Sequence, residues 1–567
     1  MPRKTRKTAE TTEPGRPTHA VENQPPPLGE LNLFESDRVL KDAVAAEGGG
    51  WAHGRLAAFG AVVGSDRVQE LGRVANRQPP ELKTHDRFGN RIDEVDFHPA
   101  WHELMKIGRE AEIHALPWNR PEPGSHVARA ALAFLMNQAE SGVCCPFAMT
   151  FAAIASLREQ PDLAAEWEPP LRAAGYDPRG GPVRQKHAAG MGMAMTEKQG
   201  GSDVRANTTR AVAQSGRGGG GPGGGYHLTG HKWFCSAPMS DGFLTLAQAE
   251  DGLSCFLVPR WLDDGTRNRF FIQRLKDKLG NRSNASAEIE YRDTLARMVG
   301  APGRGVAVIL KMVQLTRLDV SICSAALMRR ALIEALHHAA HRRAFQKTLI
   351  DQPLMANQLA DLALESEAAT RLVLRLARAF DRAAADAGER AFARTATPVV
   401  KYWLAKRAPG LVFEAMEVLG GNAYVEDSVL PRLYREAPVS AIWEGCGNVI
   451  CLDMLRALAK EPEGAAAFLA ELDLAQGADR RLDGAIAELG RDLGRTGSRA
   501  AAEEAGARRL VERMARTLEA ALMRRHAAPE AADHFSAARL DGAPGCYGTL
   551  APGPALRRIV EAARPDR

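Results

Sequence analysis

The chain has 567 residues, of which 45% are hydrophobic and 25% are charged, and its formal net charge is +5 at pH 7. This length predicts several packed units of a soluble protein, and no run of about 18 apolar residues is present that would span a membrane. The eight cysteines are scattered and include no Cys-x-x-Cys pair, so a disulfide framework or a metal site is not expected, and a reducing cytoplasm fits.

The N-terminal part changes from a polar tail to a helical domain. Residues 1–29 are rich in Pro, Thr, Lys and Arg, which predicts a disordered basic tail. Residues 30–190 are predicted to form a helical domain, with helices over 127–139 and 149–158. One hairpin is predicted over 84–95, where Gly89-Asn90 supplies the turn.

The middle and C-terminal parts differ in their apolar periodicity. Residues 191–300 are predicted to form a β domain, with strands over 226–234, 243–249, 253–259, 270–275 and 287–291. The glycine run at 218–225 predicts a flexible hairpin tip without a function of its own. Apolar stripes at helical spacing predict a helical bundle over 301–460, and residues 461–567 are predicted to form a further helical segment.

Three short motifs combine residue types that suit a bound flat or anionic ligand. In the stretch 193–203, glycines allow a close backbone approach, and Thr196 and Ser202 are possible donors. In the stretch 230–236, an aromatic pair ends a predicted strand. In the stretch 442–448, a half-desolvated Glu444 would have a raised pKa, which suits a general base. Taken singly, the first motif is also compatible with a turn-rich loop, the second with a sheet core, and the third with an acidic helix cap or loop residue.

The order of the motifs is more specific than any one of them. Thr-Glu-x-x-x-Gly-Ser-Asp, Trp-Phe-x-Ser, Leu-Gly-Gly-Asn and Trp-Glu-Gly-x-x-Asn follow one another as in the acyl-CoA dehydrogenase family, which the chain resembles over about residues 30–460. The resemblance implies an α+β, mainly α fold. It consists of a helical N-terminal domain, a central β-barrel-like domain and a C-terminal four-helix bundle, to which this chain adds the extra helical segment. It also implies a homotetramer, non-covalently bound FAD and an acyl-CoA substrate.

The resemblance also assigns the residues of the site. Glu444 stands where most members keep the catalytic base that removes the α-proton. Some members place the base before an arginine on an earlier helix, but this chain has Thr316-Arg317 there, and threonine cannot serve. Phe234, Cys235 and Ser236 should line one side of the flavin ring, and Arg342 and Phe345 should reach the FAD of a neighbouring subunit. The full implied cofactor-binding set is Met193, Met195, Thr196, Gly201, Ser202, Phe234, Cys235, Ser236, Arg342, Phe345, Gly420, Gly421, Trp443, Gly445, Cys446 and Asn448.

Departures from the common family pattern point to one branch. Trp443 and Cys446 replace the usual Tyr and Thr, which implies weak dehydrogenase activity. These departures, with the long strings over 190–204, 274–286 and 431–439, are similar to the AidB-like, DNA alkylation-response branch. That branch carries an extra C-terminal helical domain, which implies binding to double-stranded DNA.

The C-terminal segment gives mixed support for DNA binding. Residues 461–567 contain 16 arginines and no lysine against 17 acidic residues, a formal charge of −1 that argues against a simple electrostatic grip. A helix over 506–523 would nevertheless place Arg509, Arg513 and Arg516 together beside its apolar face, with Arg524 continuing the stripe and Arg456 as a further phosphate contact. The alternative is a solvated face on which these arginines pair with Glu503, Glu504, Glu512 and Glu519.

Three functions therefore remain open from the sequence. The first is a DNA-associated flavoprotein with weak acyl-CoA dehydrogenase activity. The second is a working dehydrogenase of fatty-acid or branched-chain acyl-CoA metabolism whose C-terminal extension is structural. The third is a scaffold that keeps FAD only for stability.

Overall fold

The computed structural model describes residues 19–215, 219–494, 500–541 and 545–566. The predicted basic tail up to residue 18, and Gly218 of the predicted hairpin tip, lie outside the described residues. Within the described ranges no helix is both long enough and apolar enough to cross a membrane.

The N-terminal domain consists of helices and one hairpin. Helix α6 is its centre, because nearly every side chain of this helix is buried. The predicted hairpin is present, and its turn is closed by a hydrogen bond from Gly89 N to the Asp86 carbonyl. The elements are α1 (Arg38–Ala46), α2 (His53–Val63), α3 (Asp66–Arg77), β1 (Glu81–His85), β2 (Arg91–Asp96), α4 (Pro99–Glu110), α5 (Leu116–Asn119), α6 (Ser125–Ala139), α7 (Cys144–Leu157) and α8 (Pro161–Arg172).

The central domain is one seven-stranded sheet. Its path runs β3-β6-β4-β5-β9-β7, with β8 paired to β9 and β6 also paired to β7. All five predicted strands are present, and Ala287, Ile289 and Tyr291 are buried on one face of β9 as their alternation predicts. The four-residue strands β3 and β4 were not predicted, because neither is long enough to show a period of two. The strands are β3 (Met191–Ala194), β4 (Arg210–Ala213), β5 (Gly225–Ser236), β6 (Gly242–Ala249), β7 (Gly252–Pro259), β8 (Phe270–Leu275) and β9 (Ser286–Val299).

The C-terminal bundle is built on three long helices. These helices pack against one another, the third also packs against the shorter α13, and they share one apolar core with the N-terminal helices. A small hairpin connects the first two long helices. The elements are α9 (Gly305–His341), β10 (Arg343–Ala344), β11 (Lys347–Thr348), α10 (Pro353–Arg382), α11 (Ala387–Leu419), α12 (Leu430–Glu436) and α13 (Gly447–Lys460).

The extra C-terminal segment packs onto this bundle. Its main helix shows the apolar face predicted for residues 506–523, and Val511, Met514, Leu518 and Leu522 are completely buried in the core shared with α9, α10 and α11. The segment is therefore part of the bundle. Its helices are α14 (Glu463–Asp473), α15 (Arg480–Leu493), α16 (Ala500–His526), α17 (Pro529–Ser536) and α18 (Ala555–Ala563).

Candidate active site

The first predicted motif forms a loop after β3, and a buried carboxylate anchors this loop to the sheet. Glu197 accepts hydrogen bonds from the backbone and hydroxyl groups of Thr208 and Thr209. It also forms an ion pair with Lys232 of β5 at 2.8 Å, and neither side chain is exposed. Glu197 thus ties the two ends of the loop to the sheet.

The predicted cofactor contacts of the first motif are half-buried or exposed. Met193, Met195 and Thr196 are half-buried, Gly201 lies beside Thr196, and Ser202 is exposed. A Cβ atom at Gly201 would lie 2.4 Å from the Thr196 hydroxyl, so only glycine lets the loop fold back over Thr196. The Thr196 carbonyl accepts from the Trp233 N–H of β5 at 2.8 Å.

The second motif, at the end of β5, places its side chains alternately on two faces of the sheet. Phe234 is half exposed, and Ser236 shares its face. Cys235 points the opposite way and is fully buried in the core of the sheet. The assignment of Cys235 to the flavin ring stays a prediction, and the burial of its side chain restricts that prediction to the backbone, because successive residues of a strand face opposite sides. Cys235 offers only its backbone to that face.

The third motif is a strained turn that presents Glu444. Both Glu444 and Gly445 have positive φ angles, of 56° and 101°. The turn is held by two cations: Arg317 Nε donates to the Glu444 carbonyl at 3.1 Å, and Lys401 Nζ donates to the Gly445 carbonyl at 2.5 Å. A non-glycine residue in this conformation is rare and marks a functional constraint.

The Glu444 carboxylate has a surrounding that suits proton transfer. The Thr316 hydroxyl donates to Glu444 Oε2 at 2.8 Å. Burial raises the pKa of the Glu444 carboxyl, and the Thr316 hydrogen bond with the charges of Arg317 and Lys401 counteracts this rise. Thr316, which cannot itself act as a base, therefore stabilises the carboxylate of the base, Glu444.

The β-domain side and the Glu444 side meet around Cys145 of α7. Ser236 and Ser286 hydroxyls lie 3.2 Å apart, and Lys278 Nζ donates to the Ser286 hydroxyl at 3.0 Å. Burial raises the pKa of the Cys145 thiol to about 12, and the charges of Lys278 and Glu444 both act on it. The second and third motifs therefore border one site.

Four predicted cofactor residues lie far from this site in the same chain. Arg342 follows Thr316 by 26 positions along α9 and so lies about 39 Å away at a rise of about 1.5 Å per residue. Gly420 and Gly421 end α11, about 28 Å beyond Lys401. Phe345, at the tip of the β10–β11 hairpin, is 92% exposed. These residues cannot contact a ligand bound beside Glu444 of their own chain.

The start of α13 meets the C-terminal segment. Trp443 is half-buried, Cys446 and Asn448 are exposed, and no side chain of the described residues caps the first turn of α13. Arg508 of α16 donates from Nε to the Asn448 side-chain oxygen at 2.8 Å. The extra segment therefore reaches a residue that the family resemblance assigns to the cofactor.

The predicted DNA-contacting arginines do not form a common free stripe. Arg456 and Arg509 are exposed, and neither has an ion-pair partner among the residues that the structure describes. The expectation that the other three project freely is corrected, because distant carboxylates pair with Arg513 and Arg524, and Glu512 of the same helix pairs with Arg516. Arg513 pairs with Asp492 and Glu488, Arg516 with Glu512 and the Arg539 carbonyl, and Arg524 with Asp479 and Asp533.

Several residues that shape the site were not predicted from the sequence. Lys232, Arg317 and Lys401 had no assigned role, yet each holds a backbone or carboxylate group of a motif. One signal was available for Lys401, which is a single charge inside the apolar run Val399–Leu404. A lysine in such a run is rarely buried without a partner. Within the described residues, no group of three or more His, Cys, Asp or Glu side chains is placed to hold a metal ion.

Comparison with known proteins agrees with this arrangement. The N-terminal domain of the adaptive response protein AidB matches residues 23–178, the acyl-CoA dehydrogenase middle domain matches residues 192–294, and the acyl-CoA dehydrogenase C-terminal domain matches residues 303–459. The chain therefore belongs to the acyl-CoA dehydrogenase family, in its AidB-like branch.

The relatives cover nearly the whole chain. It is 48% identical over 492 residues to the Escherichia coli protein named "Putative acyl-CoA dehydrogenase AidB", a match that spans 86% of this chain and 88% of the relative. Caenorhabditis elegans ACDH-11 in complex with C11-CoA has a TM-score of 0.81 at 27% identity, over 99% of this chain and 93% of that chain. The apo form of Bd2924 has a TM-score of 0.79 at 31% identity, over 90% and 100% of the two chains.

Members of this family are flavin oxidoreductases that use FAD, and the residues of this site fit that cofactor. The indole Nε1 of Trp443 is buried and has no hydrogen-bond partner among the described residues, so a donor is available beside Glu444. Phe234 supplies an exposed aromatic wall.

Proposed function

We propose that this protein oxidises the Cα–Cβ bond of an acyl-CoA thioester with low turnover, and that it binds double-stranded DNA in the response to alkylation damage. The observation that carries the first part is the Glu444 carboxylate, which is held on a strained turn, half-buried and hydrogen-bonded to Thr316. The C11-CoA complex of the C. elegans relative supports the substrate class.

In this reaction Glu444 removes the proton from the α-carbon of the acyl thioester. The electron pair of that C–H bond forms the Cα=Cβ double bond, and bound FAD supplies the acceptor for the β-hydrogen with its electron pair. Thr316 and Arg317 orient the carboxylate and its backbone during the transfer. The new proton then resides on Glu444.

Because the base must be deprotonated, the rate depends on pH in a defined direction. Burial raises the pKa of Glu444. At acidic pH, a smaller fraction of Glu444 is therefore deprotonated than of an ordinary glutamate, whose pKa is about 4.3. Flavin reduction by acyl-CoA is therefore expected to accelerate with rising pH until Glu444 is fully deprotonated.

The decisive experiment compares the flavin bleaching of wild type and Glu444→Gln when acyl-CoA is added. The variant should retain FAD and lose at least about 10²-fold in the rate of bleaching, because a positioned base contributes roughly 10²–10⁴-fold. Glu463→Gln, which changes an exposed glutamate on α14, is the matched control. Equal bleaching in wild type and Glu444→Gln would remove Glu444 from the mechanism.

The second candidate function is a fully active acyl-CoA dehydrogenase of fatty-acid or branched-chain metabolism with a structural C-terminal extension. The burial of α16 in the bundle core and the internal pairing of Arg513, Arg516 and Arg524 favour it. Rapid turnover of a common acyl-CoA together with no affinity for DNA would select this function.

The DNA part of the proposal depends on Arg456 and Arg509. Both guanidinium groups are exposed and lack an internal ion pair among the described residues, so they are available for phosphate oxygens. They lie on α13 and α16, two helices that pack together. A duplex held by few phosphate contacts should bind without strong sequence preference.

Duplex binding should be measured in the full chain over a salt series, because α16 is part of the core and cannot be removed cleanly. The double variant Arg456→Ala/Arg509→Ala should bind more weakly and have a shallower salt dependence, by about 0.9 in slope for each phosphate that an arginine no longer neutralises. Arg87→Ala, an exposed arginine on the distant β1–β2 hairpin, is the control. A variant with wild-type slope would exclude these two residues as phosphate ligands.

A homotetramer and a cytoplasmic location complete the proposal. The distance from Arg342 and Gly420 to the site of their own chain supports a cofactor that is shared between subunits. The eight cysteines are all free thiols, which supports a reducing compartment.

A further inference from the structure

Lys401 is a buried cation that neither the family resemblance nor the sequence motifs assign to the reaction. It lies on α11, is 1% exposed, and is enclosed by the apolar core of the bundle. A charged lysine is expensive to bury and is retained where a specific partner compensates its desolvation. The partner here is the Gly445 carbonyl, which accepts from Lys401 Nζ at 2.5 Å.

This contact secures the turn in which the backbone of Glu444 is strained. Glu444 and Gly445 both adopt positive φ angles, and such a conformation persists only when its surroundings fix it. Arg317 binds the carbonyl of Glu444, and Lys401 binds the next carbonyl along the chain. The two cations therefore hold the turn from two helices, α9 and α11.

Lys401 also contributes charge beside the base. The groups that act on its ammonium are Glu444 and Cys446 from the turn, Arg317 from α9, and Lys406 from its own helix. Of these neighbours Glu444 carries the opposite charge and favours the charged lysine, while Arg317 and Lys406 disfavour it. Conversely, the Lys401 charge favours the ionised form of Glu444.

We propose that Lys401 is a positioning residue, which holds the Glu444–Gly445 turn in its strained form and keeps the Glu444 carboxylate ionised and ready to accept the α-proton. The catalytic consequence rests on the proposed dehydrogenation, whereas the effect on Glu444 is a property of the protein alone. Burial lowers the pKa of Lys401 to about 7, so the charge that supports Glu444 is itself lost as the pH rises above neutrality.

The test measures the ionisation of Glu444 directly. Infrared difference spectra between each protein and its Glu444→Gln counterpart report the carboxyl group over a pH titration and require no turnover. In Lys401→Met the midpoint of Glu444 should shift to higher pH, because the lost positive charge favours the ionised carboxylate. Lys401→Arg should restore most of the wild-type midpoint.

Matched variants separate this role from a purely structural one. Lys460→Met removes an exposed lysine from the end of α13 and should leave the Glu444 midpoint unchanged. If Lys401→Met shows no cooperative unfolding transition, the variant is not properly folded, and Lys401→Gln is used instead. Glutamine keeps a hydrogen-bond donor but has no charge. An unchanged Glu444 midpoint in a folded Lys401 variant overturns the proposal.

A second measurement distinguishes failure of this inference from failure of the proposed function. If wild type is never bleached by acyl-CoA but the Glu444 midpoint moves in Lys401→Met, the dehydrogenation is wrong and the positioning role stands. If wild type is bleached, the pH profile of bleaching in Lys401→Met should shift to higher pH by the same amount as the Glu444 midpoint. Bleaching with an unshifted profile would show that Lys401 does not act through Glu444.

Discussion

At the scale of single residues, the Glu197–Lys232 pair shows how the first motif obtains its shape. Both side chains are completely buried, and the carboxylate satisfies four donors from Thr208 and Thr209 in addition to Lys232. Removing one member of such a pair leaves an uncompensated charge, which costs about 3–5 kcal/mol. The pair therefore fixes the loop that is predicted to contact the cofactor.

Lys232→Met is accordingly expected to lower the free energy of unfolding by about 3–5 kcal/mol and to release FAD more readily. Chemical denaturation and the fraction of bound flavin measure the two effects. The double variant Glu197→Leu/Lys232→Met should be less destabilised than the sum of its single changes, because no charge remains buried. Strictly additive losses would show that the two side chains act independently.

The same pair gives stability a defined pH dependence. Burial would raise the pKa of Glu197, but the Lys232 charge and the hydrogen bonds of Lys232, Thr209 and Thr208 hold it well below its usual range. A depressed pKa means that this stabilisation is complete above the unfolded value of about 4.3 and is lost as the pH falls toward the folded value. Glu197→Gln should lose stability at neutral pH and show a flatter acid limb than wild type in denaturation experiments.

At the scale of elements, α16 is a core helix. Leu518 is completely buried between the bundle helices, whereas Leu474 at the end of α14 is 63% exposed. Leu518→Ala should therefore cost about 2–5 kcal/mol of unfolding free energy, and Leu474→Ala should cost little. A small effect at Leu518, measured by chemical denaturation, would mean that the C-terminal segment folds independently of the bundle.

Helix α16 shows which structural features can be predicted from the sequence and which cannot. The apolar face of α16 follows from local periodicity, and the structure confirms it. The pairing of Arg516 with Glu512 was open as an alternative from the sequence, because the two residues are one turn apart. The pairing of Arg513 and Arg524 was not, because Asp479, Asp492 and Asp533 come from other parts of the chain and no local pattern places them there. Similarly, the motif around Glu444 is visible in the sequence, but the contacts of Thr316 and Lys401 join residues more than 40 positions apart.

At the scale of the whole molecule, two of the predicted cofactor residues lie far from the Glu444 site of their own chain. Arg342 is about 39 Å from Thr316 along α9, and Phe345 beside it is 92% exposed at a positive φ angle. A large aromatic side chain left in water at a hairpin tip is unfavourable unless another surface covers it. This arrangement favours association between copies of the chain.

Phe345→Asp is expected to shift the assembly toward smaller species and to reduce bound FAD, as measured by light scattering after size-exclusion chromatography and by flavin absorbance. Phe88→Asp changes another highly exposed phenylalanine, on the β1–β2 hairpin, and serves as control. If Phe345→Asp retains both the wild-type mass and the wild-type flavin content, the hairpin is not part of an intersubunit cofactor site.

The hydrogen bond from Arg508 to Asn448 has a thermodynamic consequence for the proposed pair of functions. It joins α16, which is proposed to contact DNA, to the first turn of α13, which is proposed to contact FAD, so a ligand that displaces Arg508 changes the free energy of the cofactor site. Linkage is reciprocal: if DNA alters the dissociation constant of FAD by some factor, FAD alters that of DNA by the same factor. Apo and FAD-loaded protein should therefore differ in their affinity for a duplex, and Arg508→Ala should abolish that difference.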